Sequence, residues 1–399
     1  MKSPIVLVGG GIVGLATAYS LSEMFPQVKV VVLEKERELL LHQSGHNSGV
    51  IHTGIYYAPG SLKAKNCSRG KLLLQEFCST HNVPFEICGK LIVATAEREL
   101  PALQKVYDRG QANGVRCELV GPERIVEIEP AVRGIRAIHV PDAGIIDYVA
   151  VGKALAQVVQ KRGGEIRLRA GLISAKRIED RWHLETTAGD QEAGLVVNCA
   201  GLHCDMVARL MGASPQVRIV PFRGEYYVLR PEAQHLCRNL IYPVPDPEYP
   251  FLGVHYTRMI GGGVECGPNA VLALAREGYS HTAINFSELA QTLTYPGFWK
   301  FAAQHWRMGL SEYRRSLSRR LFTESLQRLV PAVRMDDLIP AGAGVRAQAM
   351  APTGKLIDDF LILEEAGAVH VLNAPSPAAT SSLSIGATIT EYVRRQIVS

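Results

Sequence analysis

Short uninterrupted apolar runs, rather than alternating ones, mark the best-defined strands of this chain. Ile5-Val6-Leu7-Val8, Val30-Val31-Val32-Leu33 and Leu195-Val196-Val197 have strand length and no polar face. That pattern fits strands of a parallel sheet covered on both sides. After the first run, Leu15, Ala18 and Leu21 fall on one face of a predicted helix. Asp147 has the position and chemistry of an N-cap for another helix, which Gly163-Gly164 would stop. Glu165–Arg169 and Arg181–Thr187 follow as strands, the latter with Trp182, Leu184 and Thr186 alternating with polar residues. His370-Val371-Leu372 reads as a strand, with a helix of small residues from about Ala378 towards Arg395. Arg218–Leu229 and Phe251–Ile260 suggest an antiparallel sheet.

The turn after the first strand carries chemistry. Gly9, Gly11 and Gly14 fit the spacing G-x-G-x-x-G, and Glu34 ends the second strand twenty residues after Gly14. The glycines allow a tight turn and close approach of backbone to a pyrophosphate, and the helix N-terminus faces that anion. An acid at the end of the second strand can accept hydrogen bonds from a ribose diol and disfavours a 2′-phosphate, which leaves FAD or NAD. The segment Ser44 to Tyr57, rich in small and hydroxyl residues, favours FAD. A similar loop occurs in flavoenzymes of the D-amino-acid oxidase and glycerol-3-phosphate dehydrogenase type, where it touches pyrophosphate, ribitol and the flavin edge. Ser44, Asn47 and Ser48 are therefore cofactor candidates, joined by Ala200-Gly201 after the third strand. Pro377 and Ala378 begin a predicted helix whose positive end would face the N1–C2=O edge of the flavin. Non-covalent FAD is expected; His46, the one conceivable covalent anchor, suffices as a hydrogen-bonding loop residue. The fold class expected is α/β. A Rossmann-type FAD-binding domain (1–80, 146–212 and 340–399) is interleaved with a mainly antiparallel-sheet substrate domain (81–145 and 213–339).

Across nearly its whole length the chain resembles the L-2-hydroxyglutarate dehydrogenase (oxidase) family. The resemblance rests on Ser44–Tyr57, Pro59-Gly-Ser-Leu-Lys-Ala64, Pro221-Phe-Arg-Gly-Glu-Tyr226 and Tyr242-Pro-Val-Pro-Asp-Pro247. It continues in Phe251-Leu-Gly-Val-His255, Gly267-Pro-Asn-Ala-Val271, Gly344-Val-Arg-Ala-Gln348 and Asn373-Ala-Pro-Ser-Pro377. It implies oxidation of (S)-2-hydroxyglutarate to 2-oxoglutarate, with hydride transfer to flavin N5. It also adds Gly344 to the cofactor set. Arg346 stands where amino-acid oxidases of this superfamily carry a carboxylate-binding arginine, and Arg223 is a second candidate, with an ion pair to Glu225 as its structural alternative. Histidine is the side chain whose ordinary pKa suits proton collection and release, so His255, then His52, is the expected base. Tyr56, Tyr57 and Tyr256 could also reach the site. A flavin amine oxidase acting on glycine or a D-amino acid shares the fold and is the alternative, with glycerol-3-phosphate dehydrogenase third. A non-catalytic flavin module would need no such set of arginines and histidines.

Composition changes this picture in one place. The chain has a formal net charge of +5, and residues 298–330 alone hold seven basic residues and two acids. Phe298, Trp299, Phe301 and Trp306 are interleaved with them. The segment is either a solvated helical face or a patch that docks on the inner membrane, passing electrons to a quinone in preference to oxygen. Nucleic acid is not an expected partner. The eight cysteines include no C-x-x-C pair, so incidental thiols are expected and no metal site. The apolar runs are too short to span a bilayer. The N-terminus leads directly into the glycine loop, which argues against a cleaved signal and for a cytoplasmic location.

Overall fold

The computed structural model describes residues 3–246 and 253–398. Phe251 and Leu252 of the sequence pattern, and Pro247, lie outside the described residues.

The chain forms two large sheets. The six strands of the first run in the order Leu361–Glu365, Ala368–Asn373, Leu195–Asn198, Ile5–Val8, Val30–Leu33 and Glu165–Arg167. Five are parallel, and Leu361–Glu365 is an antiparallel edge. The uninterrupted apolar runs now have their cause. Ile5, Leu7, Val30, Val32, Leu195 and Val197 face a helical layer through Ala18, Leu21, Ile385 and Ile389. Val6, Val8, Val31, Leu33 and Val196 face the opposite side, against Trp182 and Leu184. Those two residues belong to an antiparallel three-stranded sheet, Leu172–Ile178, Arg181–Thr186 and Gly189–Ala193. The helical layer comprises Ile12–Met24, Tyr148–Lys161 and Ser382–Val398. Asp147 caps the second of these, accepting from Val149 N, and the chain leaves it through Gly163 at φ +87°.

The last helix begins at Ser382, four residues later than the sequence suggests. Residues 375–381 form tight turns instead, with Ala378 N bonded to Pro375 O and Ser381 N to Pro377 O. Thr380 uses its hydroxyl to bond Tyr148 and the His52 backbone.

The nine-stranded second sheet contains Arg218–Leu229 paired antiparallel along its length with Leu338–Met350. His255–Arg258 lies between Leu240–Pro243 and Val264–Gly267. The outer face of this sheet packs Leu91, Val93, Ile241, Tyr256 and Cys266 against Phe322 and Leu326. Alternation along each strand sends their neighbours, among them Tyr242 and His255, to the other face.

The basic aromatic segment folds as helices Pro296–Leu317, kinked at His305, and Arg319–Gln327. Phe298 and Phe301 turn inward onto Val220, Phe222 and Met350. Trp299 and Trp306 are 58% and 59% exposed, and Leu317 78%. Three of the arginines have acid partners: Arg315 with Glu312, Arg320 with Glu324, and Arg328 with Glu99. Among the described residues, no helix is long and apolar enough to cross a membrane.

Candidate active site

A cavity of about 1380 Å³ is lined from both sheets. That exceeds the roughly 300–1,000 Å³ of ordinary ligand pockets and leaves room for a dinucleotide with a small acid beside it.

One part is built from the glycine turn. Gly9 has φ +114°, and a Cβ there would lie 2.4 Å from Cys199 O. Gly14 does not line the cavity; a Cβ on it would meet Gly9 O at 2.1 Å, so its role is to let the helix pack against the turn. Glu34 is buried, and its carboxylate accepts from Gly10 N at 2.8 Å and Glu36 N at 2.9 Å. These bonds orient an acid with lone pairs still available to a ribose diol. Ser44 Oγ accepts from Ile12 N at 2.9 Å, tying the hydroxyl-rich loop to the helix start. Asn47 donates to Ser44 O and accepts from Gly49 N. Gly11, Ser48, Ala200, Gly201, Gly344, Pro377 and Ala378 complete this wall. A turn closed to a Cβ at Gly9, an oriented acid and a cavity of this volume fit FAD. His46 also lines the cavity, where it stacks on Tyr279 with ring centroids 4.3 Å apart. Nearby, Glu36, His42 and Glu277 converge within metal-ligand distances. Lys35, 2.7 Å from Glu277, occupies the same carboxylates. Burial alone would raise Glu277, yet hydrogen bonds from His203 and Lys35 bring it down to about 2, so an ion-pair network accounts for the cluster.

The other part brings His52, Tyr56, Tyr57, Tyr242, His255 and Arg346 together. His255 Nδ1 lies 2.9 Å from Gly253 O. A carbonyl can only accept, so Nδ1 carries the proton and Nε2 keeps its lone pair. The imidazole stacks on Tyr242 at 3.9 Å, and the Tyr242 hydroxyl is held by Thr257 and Ser48. Behind Tyr242 stands Lys90, only 3% exposed, its ammonium 4.0 Å from the ring centroid. Burial lowers Lys90 to about 8, so it stays protonated at neutral pH. Burial, reinforced by the charges of Lys90 and Arg346, lowers His255 to about 3 against the opposing bond to Gly253. Burial and then Lys90, His255 and Lys63 hold His52 well below the usual histidine range. Burial also lowers Arg346, with Tyr226 and Glu312 opposing; a guanidinium remains charged regardless.

Two of the sequence candidates lie elsewhere. Arg223 is absent from the cavity wall among the described residues. Its guanidinium donates to Ser280 O and Glu225 and lies against His281, so it takes the structural alternative of the Glu225 ion pair. Tyr256 donates to Leu326 O in the outer core, because adjacent strand residues face opposite ways. Lys90 and Tyr242 were not anticipated. A lysine at the start of the strand Lys90–Ala94 was the available signal, since burial of the four apolar residues that follow buries it too.

The site and fold are those of a flavin-dependent oxidoreductase. The chain belongs to the FAD dependent oxidoreductase family, whose match covers residues 4–392. Within that family, the L-2-hydroxyglutarate dehydrogenase of Indibacter alkaliphilus is 49% identical over 99% of this chain and 100% of its own length. The protein of the same name from Escherichia coli (strain K12) is 42% identical over 99% and 94%. The mitochondrial L-2-hydroxyglutarate dehydrogenase of Homo sapiens is 42% identical over 98% and 89%. Among solved structures, L-alpha-glycerophosphate oxidase from Mycoplasma pneumoniae with FAD bound superposes with a TM-score of 0.80, at 24% identity, over 99% of this chain and 95% of that one. Glycine oxidase from Geobacillus kaustophilus gives 0.73 at 16% over 99% and 95%. At such identities these two likenesses speak for the fold alone.

Proposed function

We propose that this chain oxidises L-2-hydroxyglutarate to 2-oxoglutarate. One observation carries the reading: a half-buried arginine and a histidine kept neutral face the same cavity as the residues that fit FAD. When bound, FAD supplies the acceptor for the hydride leaving C2 of the hydroxy acid. Arg346 holds the α-carboxylate with its planar fork. His255 Nε2 takes the hydroxyl proton, with its tautomer fixed by Gly253 and its ring held by Tyr242. His52 is the second group able to take that proton. Burial, with the charge of Lys90 added to it, keeps both histidines deprotonated, and that charge favours the accumulation of negative charge nearby. The FAD-holding part comprises residues 1–80, 146–212 and 340–399, and the substrate part 81–145 and 213–339.

The test is an anaerobic titration of the yellow protein with L-2-hydroxyglutarate. Loss of flavin absorbance with release of 2-oxoglutarate supports the reading. Bleaching by glycine or a D-amino acid alone would replace it with an amine oxidase.

For the acceptor, the reading is a membrane quinone, reached by docking on the cytoplasmic face of the inner membrane. Its support is the exposure of Trp299, Trp306, Leu310 and Leu317 beside Arg307 and Arg314 on the helix Pro296–Leu317. Aromatic and basic side chains on one helical face suit an anionic headgroup layer. Sedimentation with vesicles containing anionic phospholipid is expected to carry the protein down at low salt. Trp299→Ser with Trp306→Ser should reduce the bound fraction by about fivefold or more, given roughly 2 kcal/mol or more for two buried indoles. Equal sedimentation of the variant would remove these helices from the membrane reading.

A further inference from the structure

The segment Pro59-Gly-Ser-Leu-Lys-Ala64 has no part in the chemistry above, yet it brings a cation to the cavity wall. Lys63 is the second residue of the helix Leu62–Thr80, whose start is fixed from two sides. Ser61 Oγ accepts from Ala64 N at 3.2 Å. The two carboxylate oxygens of Asp359 accept from Leu62 N and Lys63 N, each at 2.9 Å. The root of the side chain is therefore held by residues distant in sequence. From there Lys63, half-buried, lines the cavity with its ammonium 5.3 Å from the Tyr57 ring centroid.

Asp358 and Asp359 are the acids facing this ammonium, and neither forms an ion pair with it among the described residues. Burial lowers Lys63 despite them, so the protein does not fully balance the charge. A half-buried cation in that state favours an anionic ligand.

His52 lies within electrostatic reach of Lys63, Lys90 and His255, and His255 within reach of Lys90 and Arg346. Lys63 and Arg346 thus line the same cavity as the histidine pair. Other cations at this end of the cavity serve less well. Lys90 is sealed behind Tyr242, whereas Arg98 in the turn Glu97–Glu99 and Lys105 and Arg109 on the helix Leu100–Ala112 are exposed, and Arg109 donates to Tyr56 O.

We propose that Lys63 receives the second carboxylate of the substrate and so selects dicarboxylic over monocarboxylic 2-hydroxy acids. This rests on the functional reading above. A charge-assisted hydrogen bond on a half-buried wall discriminates by about tenfold or more.

The experiment measures binding of two unreactive probes, glutarate and butyrate, to the FAD-loaded protein through their perturbation of the flavin spectrum. In the unmodified protein glutarate is expected to bind at least about tenfold more tightly than butyrate. Lys63→Gln should abolish most of that preference while leaving butyrate within about twofold, and Lys63→Arg should retain it. Equal affinity of the two probes for the unmodified protein would overturn the proposal, as would an unchanged preference in Lys63→Gln. Lack of flavin reduction by L-2-hydroxyglutarate in the unmodified protein would instead overturn the functional reading, and the two probes would still judge Lys63.

Discussion

Arg346→Ala is expected to keep FAD in place and to lower the second-order rate of anaerobic flavin reduction by about two orders of magnitude. Arg346 lines the cavity with His255 and lies within electrostatic reach of it, on a strand paired residue by residue with Arg218–Leu229. Removing one partner of a buried hydrogen-bonded charge pair costs about 2–5 kcal/mol. At roughly 1.4 kcal/mol per factor of ten, 3 kcal/mol corresponds to somewhat more than a hundredfold. Lysine is expected to restore only part of the loss, because a point charge does not replace a two-pronged donor. Rapid-mixing measurements decide the matter. Near-normal reduction by L-2-hydroxyglutarate in Arg346→Ala would remove this residue from carboxylate binding.

His255→Asn should act on the limiting rate instead. A positioned base contributes about 10² to 10⁴ in rate, and asparagine preserves much of the shape without accepting a proton at this pH. The same histidine predicts the pH profile. Its folded pKa is depressed to about 3, below the ordinary histidine value, so the neutral, proton-accepting form persists as pH falls. The acid limb of flavin reduction in the unmodified protein should therefore lie well below pH 6. A limb centred near 6.5 would mean a solvated histidine and sink this assignment. The sign for stability follows by linkage. A histidine with a lowered folded pKa contributes stability that is present above its unfolded value and is lost as pH falls towards the folded one.

Much of the fold was legible because its causes are local. Ile5–Val8 is apolar at every position since each of its two faces meets a different core. Gly9, Gly11 and Gly14 followed by Glu34 encode a turn geometry that few other residues allow. The substrate half was harder to read. Arg223 and Arg346 both sit on long paired strands, and the register that sets Arg346 opposite Phe222, and so on the other face from Arg223, decides which of them meets the cavity. His255 and Tyr256 differ by one position and face opposite ways. In the basic segment, the sequence shows four aromatic residues in nine positions. Packing decides that the phenylalanines turn inward and the tryptophans outward. Lys90 offered only the signal of a lysine opening an apolar strand, because its significance comes from the back of a tyrosine ring far away in sequence.

The first sheet is completed by Ala368–Asn373, which pairs with Leu195–Asn198, while Ser382–Val398 packs over Ile12–Met24. During synthesis, therefore, the glycine turn is made long before residues 368–398, and its sheet stays open until those have followed. During that interval Leu195–Asn198 offers an unpaired edge, apolar at Leu195, Val196 and Val197, to other chains. Flavin loading is then expected only once residues 368–398 have been made. Nascent or prematurely stopped polypeptides would be colourless and prone to aggregate, and chaperones would find their target at that edge.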